Sequence, residues 1–316
     1  MKVVYALTCF FVLCFASLLL GAKYASVTQM LTFSDDVWLV LSASRLPRLF
    51  ALICSGVGLA VCGVILQQIV QNKFVEPATC GGLDAAKLGI LISIIHAPSM
   101  GVTARMLGAL VFCLLASLAY ILIIRGIRYK SPVLIPIIGI MFGSVLSAIA
   151  ELYAYQNNMM QSMQSMQGWM LGDFSKIVQG NYEIIYLILP VVILTYLYAQ
   201  RFTIVGMGEG LATTLGLSYF NLVILGLVLV SLTIATTVIT VGSIPFIGLI
   251  IPNLVAMRYG DNLKRTLPII AFAGATLLII CDLLGRLVLY PFEIPIGLTA
   301  SCLGGLIFLA IVWKIK

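Results

Sequence analysis

Hydrophobic residues occupy long blocks of this chain, separated by short polar breaks. Charge-free runs cover Val3–Ala22, Leu49–Asn72, Met106–Ile124, Ser131–Ala150, Ile184–Gln200 and Ile294–Trp313. Each approaches the roughly 20 apolar residues that cross the hydrocarbon of a bilayer. A segment in that medium satisfies its own backbone hydrogen bonds, so the blocks predict helices. The alternating ten-residue pattern of a membrane barrel is missing. The longest block, Gly210–Met257, has 48 residues without a charge, too many for one span. Gly242, Pro245, Gly248 and Pro252 divide it, because a helix interior tolerates proline badly. It predicts one helix at 221–241 and a short, broken one at 245–257. Leu88–Ile95, before a His-Ala-Pro turn, predicts a span shortened by neighbouring protein. Ten helices result, at 3–22, 47–69, 84–97, 105–125, 132–155, 182–200, 221–241, 245–257, 266–285 and 295–313. They form one transmembrane domain over 1–316, an all-α polytopic membrane protein. Val3–Ala22 is long for a signal peptide and reads as a retained first helix.

Composition agrees: 62% of residues are hydrophobic and 9% charged, with mean hydropathy +1.15, far from soluble domains. The net charge of +7 reads as loop charge that orients the chain in the membrane, not as a nucleic-acid surface. An even helix count puts both termini on one side. With Lys2 inside, twelve basic residues, Lys73 and Lys87 among them, fall inside. Lys23, Arg45, Arg48, Arg105, Lys176 and Arg286 stay outside. The bias predicts both termini in the cytoplasm. The eight cysteines sit mostly in apolar runs without ligand spacing, and a single histidine excludes a histidine-cluster metal site within one chain. Small residues at four-residue spacing (Gly56, Ala60 and Gly63; Gly139, Gly143 and Ser147; Gly297, Ser301 and Gly305) predict faces where helices pack closely.

Catalytic signatures are missing. The chain holds no nucleotide-binding glycine loop, zinc-protease helix or nucleophile elbow, so it does not read as an enzyme. Its main intramembrane acids are Glu151 and Asp282, and Asp282 has a partner in Arg286 at i,i+4. The segment "RFTIVGMGEGLATTLGLSYFN", 201–221, sets a short helix-forming stretch between Gly206, Gly208, Gly210 and Gly216, with Glu209 and Leu215 inside it. Such a compact helix is a shape another protein can grip; a plain amphipathic connector is the simpler alternative.

Within that segment "GEGLATTLG", 208–216, resembles the cytoplasmic coupling loop of FecCD-type permeases, the ABC-importer family for ferric siderophores, haem and cobalamin. "RLPRLFALICSGVGLAVCGVILQQIVQN" is similar to the family's second helix, and "GWMLGDF" to its Trp-x-x-Gly segment. "GSIPFIGLIIPNLVAMRYG" and "LLGRLVLYPFEIPIGLTASCLGG" resemble its two C-terminal signatures. "NKFVEP" at 72–77 departs from the usual Asn-Pro-Leu-Ala-Asp-Pro and, with the "ATCGGLDAAKLG" that follows, resembles the catecholate-siderophore branch. Asn253 stands where the family has a histidine.

The resemblance implies the type II importer permease fold and a place in a bacterial inner membrane. It implies a second permease chain, in a homodimer or a paired heterodimer, and two ATPase subunits that bind ATP and Mg while this chain binds no cofactor. A periplasmic or lipoprotein siderophore-binding protein would deliver ferric siderophore, docking its acidic residues on Arg45, Arg48 and Arg286. Gly206, Gly208, Glu209, Gly210, Leu215 and Gly216 would form the ATPase coupling loop. The methionine-rich stretch 157–170 would narrow the pathway at Met160, Met163, Met166, Trp169 and Met170, although packing explains methionines as well. A secondary carrier or channel, a membrane-embedded enzyme, and cobalamin or haem as cargo are the rival readings.

Overall fold

The computed structural model describes residues 2–20, 38–39, 41–127, 134–159, 161, 171–180, 182–289 and 292–314. Among these the chain is helical, with twelve α-helices and no strand. They are α1 (Lys2–Leu19), α2 (Leu46–Val70), α3 (Gly82–His96), α4 (Gly101–Gly126), α5 (Leu134–Gln156) and α6 (Ile188–Leu197). Then follow α7 (Ala199–Gly206), α8 (Glu209–Thr214), α9 (Tyr219–Val241), α10 (Ile247–Tyr259), α11 (Leu263–Leu287) and α12 (Ile296–Lys314). A helix stands at each of the ten predicted positions. Five helical stretches, those containing α2, α4, α5, α9 and α11, are long and apolar enough to cross a membrane; α6 with its preceding turn and α7 form a bent pair that makes a sixth.

The sixth predicted helix stops at Gln200 because Arg201 ends the charge-free run. The chain instead turns by 67° and continues as α7. This helix is amphipathic: Ala199, Phe202 and Val205 are buried, while the Arg201 guanidinium lies 4.8 Å over the Tyr198 ring. A charge ends a span without ending a helix.

Helix α2 runs through the centre of the bundle, and its small residues are the reason. Gly56 meets the Gly274 carbonyl of α11, where a Cβ would stand 2.6 Å from the oxygen, and Gly63 lies against the backbone of Gly248 in α10. Ala60 fills the notch at Gly274. The second predicted stripe packs in the same way: Gly139 rests on the Thr79 carbonyl, Gly143 on Gly81, and Ser147 reaches Lys87. The third packs at its first member but not at its last. Gly297 sits against the carbonyls of Leu171 and Ser243, whereas Gly305 meets nothing within 4 Å.

Lys87 corrects the loop count. It is buried inside α3, with Nζ 3.3 Å from Ser147 Oγ. The chain after α2 turns back into the bundle before α3 begins, so Lys87 is not loop charge and says nothing about orientation.

Candidate functional site: an arginine cluster, a seam and a glycine-bounded helix

The first end of α2 carries two of the three singled-out arginines, and the fold brings the third to them. A π-helical turn, Leu41–Arg45, leads into α2 with Pro47 in its first turn, where a missing N–H costs little. Arg45 Nη1 donates to the carbonyls of Leu18 and Leu19, at 2.6 and 3.3 Å. Arg286, in the last turn of α11, donates to Ser17 O at 3.1 Å, Leu20 O at 2.7 Å and Ser17 Oγ at 3.3 Å. Both cations therefore cover the open carbonyls at the C-terminus of α1, the end where positive charge is favoured.

Between them lies an ion network. Asp282, its side chain 2% exposed, pairs with Arg286 one turn later, as the sequence spacing predicts, and also with Arg48. Arg48 gives Nη2 and Nε to Asp282 Oδ1 at 2.7 and 3.2 Å, and Nη1 to Glu293 Oε2 at 2.7 Å. Two guanidiniums thus face two carboxylates. Arg48 is only 13% exposed and Arg286 8%, so much of their charge is already matched inside the chain. Ser17 and Glu293 were not among the predicted residues; the one signal for Glu293 was its place in the "EIPIG" stretch.

Along α2 toward its other end runs a polar seam with α10. Pro252 sits inside α10 and has no N–H for the Gly248 carbonyl one turn earlier. The buried Gln67 side chain supplies the missing donor, Nε2 to Gly248 O at 3.3 Å. The loop after α2 is fastened to the same helix. Asn253 Nδ2 donates to Lys73 O at 2.7 Å, Glu76 Oε1 accepts from Phe246 N at 3.3 Å, and Lys73 Nζ pairs with Asp261 at 3.0 Å. Asn253, placed where the resembling family has histidine, thus holds a loop carbonyl here.

Beside that end of α2, about 37 Å from its start by helical rise, stands the glycine-bounded segment. Gly208 at φ 109° starts α8 and Gly216 at φ 76° ends the turn after it. Only glycine adopts such angles without strain. Gly206 is packed on Gln68, whose Oε1 a Cβ would strike, while nothing lies within 4 Å of a Cβ at Gly210. Ala212 faces the bundle; Met207, Leu211 and Leu215 are exposed. A cavity of about 600 Å³ opens between Gly208 and Glu209, the end of α2 at Asn72, and Ile124, Ile135 and Tyr219. Met160, Met163, Met166, Trp169 and Met170 lie outside the described residues. Among the described residues no group of three or more His, Cys, Asp or Glu could hold a metal ion.

A model of the FecCD transport family matches residues 9–314. The chain belongs to the FecCD transport family. As a FecCD chain it is a multi-pass membrane protein, and two of its relatives match it over nearly their whole length. It is 60% identical over 305 residues, 96% of each chain, to the ferric-anguibactin transport system permease protein FatD of Vibrio anguillarum. It is 41% identical to the petrobactin import system permease protein YclN of Bacillus subtilis, across 100% of this chain and 99% of that one. A solved inward-facing structure of a metal-chelate type ABC transporter superposes with TM-score 0.83 at 26% identity, covering 99% of both chains. The type II importer permease fold implied by the sequence is the fold found.

Proposed function

We propose that this chain is the permease subunit of an ABC importer that carries ferric siderophore, of the catecholate-type branch, across a bacterial inner membrane. The observation that carries this reading is the end-to-end 60% identity to a ferric-anguibactin permease. In the proposed assembly a second permease chain completes the pathway. Two ATPase subunits bind ATP and Mg and grip Gly206–Leu217, and a siderophore-binding protein docks at Arg45, Arg48 and Arg286. The geometry supports this division of labour. The arginine cluster and the short helix stand at opposite ends of α2, and α2 is packed tightly against α10 and α11 through glycines. A push on one end is therefore carried to the other by rigid contacts rather than lost in side-chain rearrangement. The permease does no chemistry; it binds partners and alternates access.

The test is reconstitution. Proteoliposomes holding the permease, its ATPase and the loaded binding protein should accumulate radio-iron as the ferric siderophore only when ATP is supplied. Accumulation driven by membrane potential without the ATPase would instead establish a secondary carrier.

A further inference from the structure

Arg48 holds its two carboxylates in unlike ways. Asp282 takes the Nε and Nη2 edge, is 2% exposed and is shared with Arg286. Glu293 takes Nη1 alone, is 30% exposed and stands outside any helix, in the stretch that joins α11 to α12. The first bond is fixed by burial, since a carboxylate there has no water to return to. The second is the more exchangeable, because the Glu293 carboxylate, 30% exposed, can return to water at lower cost than buried Asp282. A carboxylate arriving from solvent therefore meets Glu293 as its competitor and leaves Asp282 undisturbed. With Glu293 displaced, two guanidiniums face one buried carboxylate, and the excess positive charge attracts the newcomer. Exposed Leu289 and Phe292 beside it add apolar surface next to an arginine, a usual makeup for the core of a docking site.

We propose that Glu293 is an internal stand-in for a docking partner's carboxylate. It occupies the outer edge of Arg48 while the permease is unengaged and is displaced when the acidic face of the binding protein arrives. One carboxylate replaces another, so the guanidinium is never left bare and the exchange has a low barrier. The bond also sets affinity, because the partner competes with an acid already in place. The backbone beside Glu293 stays anchored during the exchange, because the N–H of adjacent Ile294 holds Gly285 O at 3.0 Å. The inference rests on the docking reading given above.

A double-mutant cycle tests it, with the assembled permease–ATPase complex in nanodiscs and the purified binding protein that supports uptake through it. Glu293→Gln should tighten binding by about three- to tenfold at low salt, the size expected of one competing charge pair. Arg48→Gln should weaken binding, and adding Glu293→Gln to it should then change nothing. Asp282 keeps Arg286 in every variant, so each complex should still assemble, which size-exclusion chromatography of the nanodiscs checks. Unchanged or weaker binding by Glu293→Gln overturns the stand-in while a loss in Arg48→Gln keeps the docking site. An equal gain in both backgrounds overturns it as well, since it reports general charge repulsion. Normal binding by Arg48→Gln removes the docking reading and this inference together.

Discussion

A single proline accounts for a buried polar contact between α2 and α10. Pro252 leaves the Gly248 carbonyl without its helical donor, and Gln67 replaces it from α2. Gln67→Leu keeps the volume but orphans that oxygen. We expect it to destabilise the detergent-solubilised protein by about 0.5–2 kcal/mol, the range for losing one such bond in a membrane protein. Pro252→Ala restores the intrahelical N–H, so the same Gln67→Leu change should cost much less in that background. Thermal unfolding of the four proteins measures the coupling, and equal losses in both backgrounds would mean that Gln67 only fills space. The sequence showed both residues but not the bond, because 181 positions separate Gln67 from Gly248. Asp282 with Arg286 was legible for the opposite reason. Their i,i+4 spacing is a property of one helix, whereas the third member, Arg48, comes from 234 positions away.

At the scale of elements, α8 poses a sharper question than its glycines alone suggest. Gly208 and Gly216 serve the chain itself through positive φ, and Gly206 serves it by clearing Gln68. Gly210 serves nothing internal, since a side chain there meets open space. Gly210→Leu should therefore fold and insert normally, and any effect on coupling must come from an ATPase pressed against that face. We expect ATP hydrolysis to continue while uptake falls at least about tenfold, because a bulky side chain at the contact face disrupts the docked interface. Gly216→Val, by contrast, should cost about 1–2 kcal/mol of stability through left-handed strain as well. Full uptake with Gly210→Leu in the reconstituted complex would take this face out of the ATPase contact. Elements of this kind were legible because hydrophobic run length and glycine–proline breaks are local. The broken pair α9 and α10 fell at 219–241 and 247–259 against a predicted 221–241 and 245–257. The bend at Tyr198 was not legible, because amphipathic packing carries the helix past Arg201, and that depends on what lies beneath.

For the whole molecule, the remaining question is which end faces the cytoplasm. Buried Lys87 drops out of the basic count, yet the bias survives at the end that carries α8. There Lys73 pairs with Asp261, and Leu263 N bonds Thr203 Oγ1 at 3.1 Å. These contacts gather Arg201, Arg258, Lys264 and Arg265 onto one side. The α5 helix begins there, with Ile135 beside the cavity, and runs 23 residues to Gln156, so Asn157 lies past its far end. On the proposed assembly, charge bias at span ends predicts that the α8 end faces the cytoplasm. Single cysteines at Asn157 and Asp261, both exposed, test this assignment directly. Cys54, Cys62, Cys80, Cys113 and Cys281 are buried and can remain, so only Cys9, Cys14 and Cys302 need replacement. Losing the exposed Lys73–Asp261 pair should cost under about 1 kcal/mol, so both variants should fold. A membrane-impermeant maleimide should label residue 157 in cells with a permeable outer barrier, and residue 261 only after the inner membrane is opened. The reverse pattern would invert the assignment and put the arginine cluster in the cytoplasm, where no siderophore-binding protein could reach it. Labelling of both residues from outside would mean that α5 does not cross the membrane between the two ends of the bundle.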